Sequence, residues 1–399
     1  MKHPHGVVAH WTGGWDEVGL CRWVEALRSR LDAPGVTLGM LFATPRFFDH
    51  ATELLELVRV YGRVPLLVGC SSHALVTGQY EYEPGAQPEP GLTLGLYHLP
   101  GARLKARYLG SSQMDAVEGP TSWHRFTEVA PAECGGWLTF ASPFGWDGEA
   151  WMRSWNAAYP GRPCVGGLAT GNWQAQEAQV YLNGVVHEEG AVVVNFAGDV
   201  VLEPLVSQGC TPIGQPWTIT KADRNYILSI ANRPAYSVLV DTFNGLTKEE
   251  QGRSQGNVFV GFASCEYRED FHRGDFLVRN LIGADPNAGV LAVGAQPRAG
   301  QTIQFQRRDA VTATEDLSWQ LTRTRERLAG RQIFGGFLGV CGGRGEKLFG
   351  VKNHDAGLVH EQLGPLPLAG CFCAGEIGPV GTVNFLHGYT ATLGLFTGI

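Results

Sequence analysis

The chain lacks several features that mark particular classes of protein. It has no long run of Lys and Arg, and its formal net charge is −7 at pH 7. Nucleic acids and anionic membrane surfaces bind clustered basic side chains, so this charge argues against both as partners. The most apolar stretches, such as Ala191 to Phe196, are far shorter than the about 20 residues of a membrane span. The N-terminus opens on a strand-like run without an apolar signal segment, so we expect a soluble, cytoplasmic protein.

Cysteines are few and irregularly spaced, and no Cys-x-x-Cys pair occurs. Nine cysteines in a chain of 399 residues indicate reduced thiols rather than a disulfide framework. Cys371 and Cys373 are close enough in sequence for a metal clip. Strand alternation, however, places both thiols on one buried face, which favours packing in the core. We therefore predict no metal and no cofactor.

Glycine is abundant, with 54 residues, and some of the glycines recur at the same position of a repeated sequence pattern. Four short apolar strands carry a glycine in the same position: Gly69, Gly166, Gly261 and Gly370. Before most of them lie an apolar strand and a helical stretch that stops at glycine, and after each comes a polar turn and another strand. The repeated unit is strand, helix, glycine-containing strand, turn and strand.

Such units cannot bury their own apolar faces, and they must pack against one another. The pattern predicts an α+β fold in which mixed sheets stack in the interior and helices cover the outside. We expect two related units in each of two domains. A Pro-containing stretch at 203–216 separates the second and third units, which predicts domains at 1–210 and 211–399.

Polar residues cluster in three glycine-rich turns near the end of the chain, at 341–345, 375–379 and 384–390. Ligands gather beyond strand ends where loops meet, so we expect the three turns to surround one hollow. The candidate ligand-binding residues are Cys341, Arg344, Glu376, Asn384, His387 and Thr390.

Several motifs resemble the FIST (F-box and intracellular signal transduction) family along nearly the whole chain. Residues 341–345 (Cys-Gly-Gly-Arg-Gly), 375–379 (Gly-Glu-Ile-Gly-Pro) and 386–391 (Leu-His-Gly-Tyr-Thr-Ala) resemble its C-terminal domain. Residues 68–71 and 165–167 resemble its N-terminal domain. The resemblance implies an intracellular sensory protein that binds a small molecule, amino acids being the usual suggestion. Other members are joined to signalling modules or an F-box. This chain shows neither, so we expect a stand-alone sensor that signals to an unknown partner protein.

The chemistry of an amino acid suits these residues. Arg344 offers a fork of donors for the carboxylate, and Glu376 offers an acceptor for the ammonium group. Asn384, His387 and Thr390 can supply neutral hydrogen bonds. In the alternative interpretation, Arg344 and Glu376 pair with each other as a structural bridge, because buried charges need partners.

Two other functions stay open. A thiol at a glycine-rich turn near Arg344 and His387 suits a nucleophile, with Cys341 attacking, His387 as base and Glu376 orienting it. The protein would then be a cysteine-dependent enzyme. The third interpretation is a scaffold with an empty pocket that serves only as a protein-interaction module.

Overall fold

The structure is a computed structural model that describes residues 3–85, 90–268 and 270–399. The strands in chain order are β1 (Gly6–Trp11), β2 (Leu38–Ala43), β3 (Leu67–Ser71), β4 (Leu75–Thr77), β5 (Tyr80–Tyr82), β6 (Leu92–Tyr97), β7 (Ala102–Leu109), β8 (Trp137–Ala141), β9 (Cys164–Leu168), β10 (Val180–Leu182), β11 (Val185–His187), β12 (Ala191–Gly198), β13 (Val200–Ser207), β14 (Cys210–Asp223), β15 (Tyr226–Ile230), β16 (Arg233–Pro234), β17 (Val258–Ala263), β18 (Phe276–Asp285), β19 (Val290–Val293), β20 (Thr302–Arg308), β21 (Ile333–Cys341), β22 (Leu368–Cys373), β23 (Glu376–Val380), β24 (Val383–His387) and β25 (Ala391–Gly398).

The helices are α1 (Glu17–Ser29), α2 (Ala51–Tyr61), α3 (Ser111–Asp115), α4 (Pro120–Thr127), α5 (Gly148–Ala158), α6 (Ala235–Asn244), α7 (Lys248–Ser254), α8 (Ala310–Arg327), α9 (Glu346–Phe349) and α10 (His354–Leu363). Two 3-10 helices add Pro45–His50 and Pro131–Glu133. The α+β class predicted from the sequence is confirmed. In the part of the chain that the structure describes, no helix has the length and apolar character to cross a membrane.

The chain forms two compact units. The first comprises the residues up to Val206 together with 318–386 and 390–399, and the second comprises 207–317 with 387–389. This division differs from the predicted domains 1–210 and 211–399, because the last part of the chain returns to the first unit.

The first unit contains three six-stranded sheets with the same plan: β1-β6-β2-β3-β10-β11, β7-β12-β8-β9-β23-β24 and β13-β25-β21-β22-β4-β5. Each sheet contains a parallel pair, which is β2–β3, β8–β9 or β21–β22. The hairpin at the end of each sheet comes from a different repeat. β4–β5 joins β22, β10–β11 joins β3, and β23–β24 joins β9. The exchange is cyclic, so the three repeats interlock.

Backbone crowding explains the repeated glycine. Three of the predicted glycines lie at the same place in the parallel pairs: Gly69, Gly166 and Gly370. A Cβ atom on them would lie 1.8, 1.7 and 1.9 Å, respectively, from a backbone carbonyl oxygen of the neighbouring strand. No side chain fits there, because backbone atoms cannot move aside as a flexible side chain can.

The predicted unit around Gly261 is wrong. Gly261 lies on β17, which runs antiparallel to both β18 and β20. A Cβ atom there would meet the side chains of Gln306 and Phe276, both at 2.8 Å. The second unit is instead a seven-stranded sheet, β14-β20-β17-β18-β19-β15-β16, with its own apolar core. An apolar strand with a glycine looks the same in either setting, because hydrophobic periodicity carries no information on strand direction.

The centre of the first unit is apolar. Phe42, Phe140 and Phe337 are fully buried, and their ring centroids lie 5.3, 5.7 and 5.1 Å apart. Cys371 and Cys373 lie beside them with their Sγ atoms 3.9 Å apart. Both thiols are buried, and the short distance between them places them on one face of β22, as strand alternation predicts.

Candidate functional site

Three of the predicted site residues meet where β21, β23 and β25 begin or end. The backbone N–H of Cys341 donates to the carbonyl oxygen of Thr390 at 2.9 Å. Thr390 in turn donates to one carboxylate oxygen of Glu376, from its backbone N–H at 3.1 Å and from its hydroxyl at 2.6 Å. Glu376 and Thr390 are buried, and Cys341 is half-buried. The turns that carry them therefore converge, and hydrogen bonds link them directly.

Arg344 lies in a buried ion pair with a residue that the sequence analysis did not single out. Its Nε and Nη2 atoms donate to the two carboxylate oxygens of Asp355 at 2.6 and 2.8 Å. Both side chains are fully buried. The bidentate partner of Arg344 is thus Asp355. Asp355 belongs to the first turn of α10 and lies eleven residues after Arg344 in the sequence. This short separation lets the 341–345 turn pack against the start of the helix.

The surroundings of this pair hold it in the charged form. Burial works to raise the pKa of Asp355, but the Arg344 guanidinium and a hydrogen bond with His354 hold that pKa at about 2. The Nδ1 atom of His354 lies 2.9 Å from Asp355, and its ring stacks on Phe349 with the centroids 3.4 Å apart. The guanidinium carbon of Arg344 lies 5.2 Å from the centre of the same phenyl ring, a favourable cation–π distance. A ligand carboxylate would have to displace Asp355 to reach Arg344.

A hairpin from another repeat closes this region. Glu81 on β5 accepts a hydrogen bond from the backbone N–H of Ala356 at 2.8 Å, and so caps α10. The side chain of Asn353, at the N-cap position of this helix, accepts from the backbone N–H of Glu81 at 2.7 Å. Glu83 accepts from the backbone N–H of Glu346 at 2.7 Å. Two carboxylates of the β4–β5 hairpin thereby clip the first repeat to the helices of the third.

Glu81 is an unusual carboxylate. Its Oε2 atom is buried and finds no hydrogen-bond partner among the described residues. Burial first, and the neighbouring Asp355 second, raise the pKa of Glu81 to about 8. No local signal in the sequence indicates this, because the partners of Glu81 lie more than 270 residues away.

Asn384 is engaged elsewhere in the first unit. The Asn384 side chain accepts from the backbone N–H of Cys164 at 2.7 Å, and donates to Asn156 and to the carbonyl oxygen of Arg162, both at 2.9 Å. It holds the β23–β24 hairpin against the second repeat. His387 ends β24, is buried, and belongs to the second compact unit, whereas Cys341 belongs to the first. The pairing of Cys341 with His387 in a cysteine-dependent enzyme stays a prediction.

Asn384 borders a cleft of about 320 Å³ in the first unit, which we call the proline cleft. Its walls comprise Pro163, Pro204 and Pro379, the apolar side chains of Val201 and Leu202, and several glycines.

Two residues of opposite charge, Arg162 and Glu203, also line the cleft. Glu203 is bound to Arg331 at 2.5 Å and to Arg327 at 3.5 Å. Within the described ranges, no hydrogen bond or ion pair engages the Arg162 guanidinium. Sequence reasoning missed Arg162, because a basic residue after the glycine that ends a helix resembles an ordinary surface turn.

The repeats and clefts define an α+β protein with interlocked repeats and space for small ligands. The FIST N domain matches residues 37–233 and the FIST C domain matches residues 235–379. The chain belongs to the FIST family, as its motifs predicted. FIST domains are associated with sensing in signal transduction.

Two mycobacterial proteins are similar over almost their entire length. An uncharacterized protein of Mycobacterium bovis is 32% identical over 390 residues, which cover 95% of this chain and 98% of that protein. An uncharacterized protein of Mycobacterium tuberculosis (strain H37Rv) is 33% identical over 374 residues, 93% of this chain and 94% of that one. A solved structure of a cyanuric acid hydrolase aligns over 100% of both chains at 11% identity. Its TM-score is 0.31, too low to support an argument about this protein.

Proposed function

We propose that this protein is a sensor that binds a small apolar amino acid in the proline cleft and passes the signal to a partner protein. The observation that carries the proposal is the lining of the cleft. It combines an arginine whose guanidinium has no partner within the described ranges, a carboxylate and apolar walls. A volume of about 320 Å³ also suits a small ligand, since ligand pockets span roughly 300–1,000 Å³.

The two ends of an amino acid match the two charges of the cleft. The Arg162 guanidinium is a fork of donors that suits a carboxylate, and the Glu203 carboxylate suits an ammonium group. Prolines and aliphatic side chains suit an apolar side chain such as that of leucine. The ligand roles predicted for Cys341, Arg344, Glu376 and Thr390 remain predictions. Arg344 is bound to Asp355, and one carboxylate oxygen of Glu376 is bound to Thr390.

The cleft also touches parts of the chain that can carry a signal. Asn384 fixes the β23–β24 hairpin beside Arg162, and Glu203 fixes β13 through Arg327 and Arg331. An ammonium group beside Glu203 competes with these two arginines. A ligand would therefore alter the contacts that fix β13 and the β23–β24 hairpin. A partner protein that binds these elements can respond to the altered contacts.

Leucine is expected to stabilise the protein against heat, and Arg162→Ala is expected to remove most of this effect. A ligand that binds only the folded state stabilises by about 2.7 kcal/mol at a hundred times its dissociation constant. Loss of the guanidinium should weaken leucine binding at least ten-fold, since charge-assisted bidentate hydrogen bonds are worth about 1.5–3 kcal/mol. Calorimetric titration and thermal unfolding with each apolar amino acid measure both effects.

Arg153→Ala is the matched control, because Arg153 is exposed on α5 and is not among the residues that line the cleft. Equal binding of leucine to both variants would reject Arg162 as the carboxylate ligand. Absence of binding by every apolar amino acid would reject the sensor proposal and leave the scaffold interpretation. A partner found by pull-down in that case would support the scaffold.

A further inference from the structure

A second cleft of the first unit is independent of the proline cleft. It has a volume of about 490 Å³ and lies between the start of α2 and the β10–β11 hairpin, and we call it the histidine cleft. Its polar lining residues are Thr52, Tyr108, Gln179, His187 and Glu188. Among the described residues that line it there is no Lys or Arg, and burial lowers the pKa of His187 from its usual 6.5. The acidic side chain of the lining is that of Glu188.

One buried group in the lining has donor capacity to spare. Gln179 is 5% exposed, and its side-chain oxygen accepts a hydrogen bond from the Tyr181 hydroxyl at 3.3 Å. Its Nε2 atom has no acceptor within the described part of the chain. A ligand in the cleft that supplies an acceptor can therefore take a hydrogen bond from this amide.

The interlocked repeats provide an internal comparison for this cleft. The β4–β5 and β10–β11 hairpins pair with equivalent strands in the same register, so Val186 corresponds to Glu81 and Glu188 corresponds to Glu83. Both junctions also contain a stacked histidine and tyrosine. The ring centroids are 3.7 Å apart for His10 and Tyr82, and 3.6 Å apart for His187 and Tyr108.

The two junctions differ in what fills them. In one, the chain supplies a backbone N–H, that of Glu346, to the Glu83 carboxylate. In the other, no described donor reaches Glu188, and an open cleft stands in its place. The chain thus supplies its own N–H donor to Glu83 beside the β4–β5 hairpin. Beside the β10–β11 hairpin, Glu188 can take a donor from a bound ligand.

We propose that the histidine cleft binds a small organic amine whose ammonium group pairs with Glu188 and whose neutral acceptor receives a hydrogen bond from Gln179. An amino amide has both groups on adjacent carbons. A free amino acid fits less well, since its carboxylate would meet Glu188 without a cation to balance it. The stacked Tyr108 and His187 rings offer an apolar wall for the rest of the ligand.

The test uses leucinamide as the probe, at a pH where its amine is protonated, and calorimetric titration of the full-length protein. Glu188→Gln should weaken leucinamide binding about three-fold and reduce its dependence on salt, because an exposed ion pair is lost. Gln179→Met, which keeps the length of the side chain without the donor, should also weaken it. Glu133→Gln, at an exposed carboxylate that is not among the lining residues, should leave binding unchanged.

A crossed design separates this proposal from the proposed function. Leucine binding should respond to Arg162→Ala and not to Glu188→Gln, and leucinamide binding should show the opposite pattern. Leucinamide that fails to bind the wild type, or that binds Glu188→Gln as tightly, would overturn the amine site. Either result leaves the leucine measurement untouched, so the two proposals fail separately.

Discussion

Asp355→Asn is expected to destabilise the third repeat by about 3–5 kcal/mol, the usual cost of removing one partner of a buried ion pair. The substitution keeps the shape of the side chain and removes its charge. Arg344 then loses the carboxylate that receives its Nε and Nη2 atoms, in a place where both side chains are fully buried. Water cannot replace the missing charge there, because the side chains are not exposed.

Hydrogen exchange of the α10 amides is the measurement of choice, because a protein with two compact units need not unfold in one step. Glu346→Gln is the matched control on the same segment. Glu346 pairs with Lys352 at 4.0 Å with both side chains more than half exposed, so its loss should cost less than about 1 kcal/mol. A similarly small effect of Asp355→Asn would mean that Arg344 does not depend on Asp355, and would restore Arg344 as a carboxylate ligand.

The parts of the fold that the sequence predicts are those with a local cause. Gly69, Gly166 and Gly370 recur because each faces a backbone carbonyl across a parallel pair, and such crowding forces the same residue at each repeat. Two of the helices between these strands, α2 and α10, end at glycine as their sequences indicate, and Leu54 and Val58 of α2 are buried, whereas Tyr61 at its end is exposed. These features need only a few neighbouring residues to be recognised.

The exchange of hairpins could not be predicted in this way. The β4–β5 hairpin has the same alternation whether it pairs with its own repeat or with β22, almost 300 residues further along the chain. Gly261 was misassigned for a related reason, since strand direction leaves no trace in periodicity. Long-range pairing is therefore the main information that the sequence pattern lacks.

The candidate site shows the same division. The meeting of the turns that carry Cys341, Glu376 and Thr390 followed from their places at strand ends. The partner of Arg344 was missed, because Asp355 looks like an ordinary acidic residue in the first turn of a helix. Glu81 was missed because its burial depends entirely on the exchanged hairpin.

Glu81 is the basis of the second large prediction. The pKa of Glu81 is about 8 in the folded protein, whereas the ordinary pKa of a glutamate side chain is 4.5. The folded state therefore keeps a proton that the unfolded state releases between these values. The contribution of Glu81 to stability is fully present below pH 4.5, and it is lost as the pH rises through 8.

Glu81→Gln is expected to remove this loss and to stabilise the protein above pH 8 by an amount on the order of 3 kcal/mol. Glutamine keeps the oxygen that accepts from Ala356, and its amide group supplies a donor beside Asp355 without a charge to desolvate. Urea unfolding or hydrogen exchange of α10 across this pH range measures the effect. Glu83→Gln, on the same hairpin but less buried, should leave the slope of stability against pH nearly as in the wild type. If stability depended on pH in Glu81→Gln as it does in the wild type, Glu81 would be ionised in the folded state. Another group would then have to stabilise its buried negative charge next to Asp355.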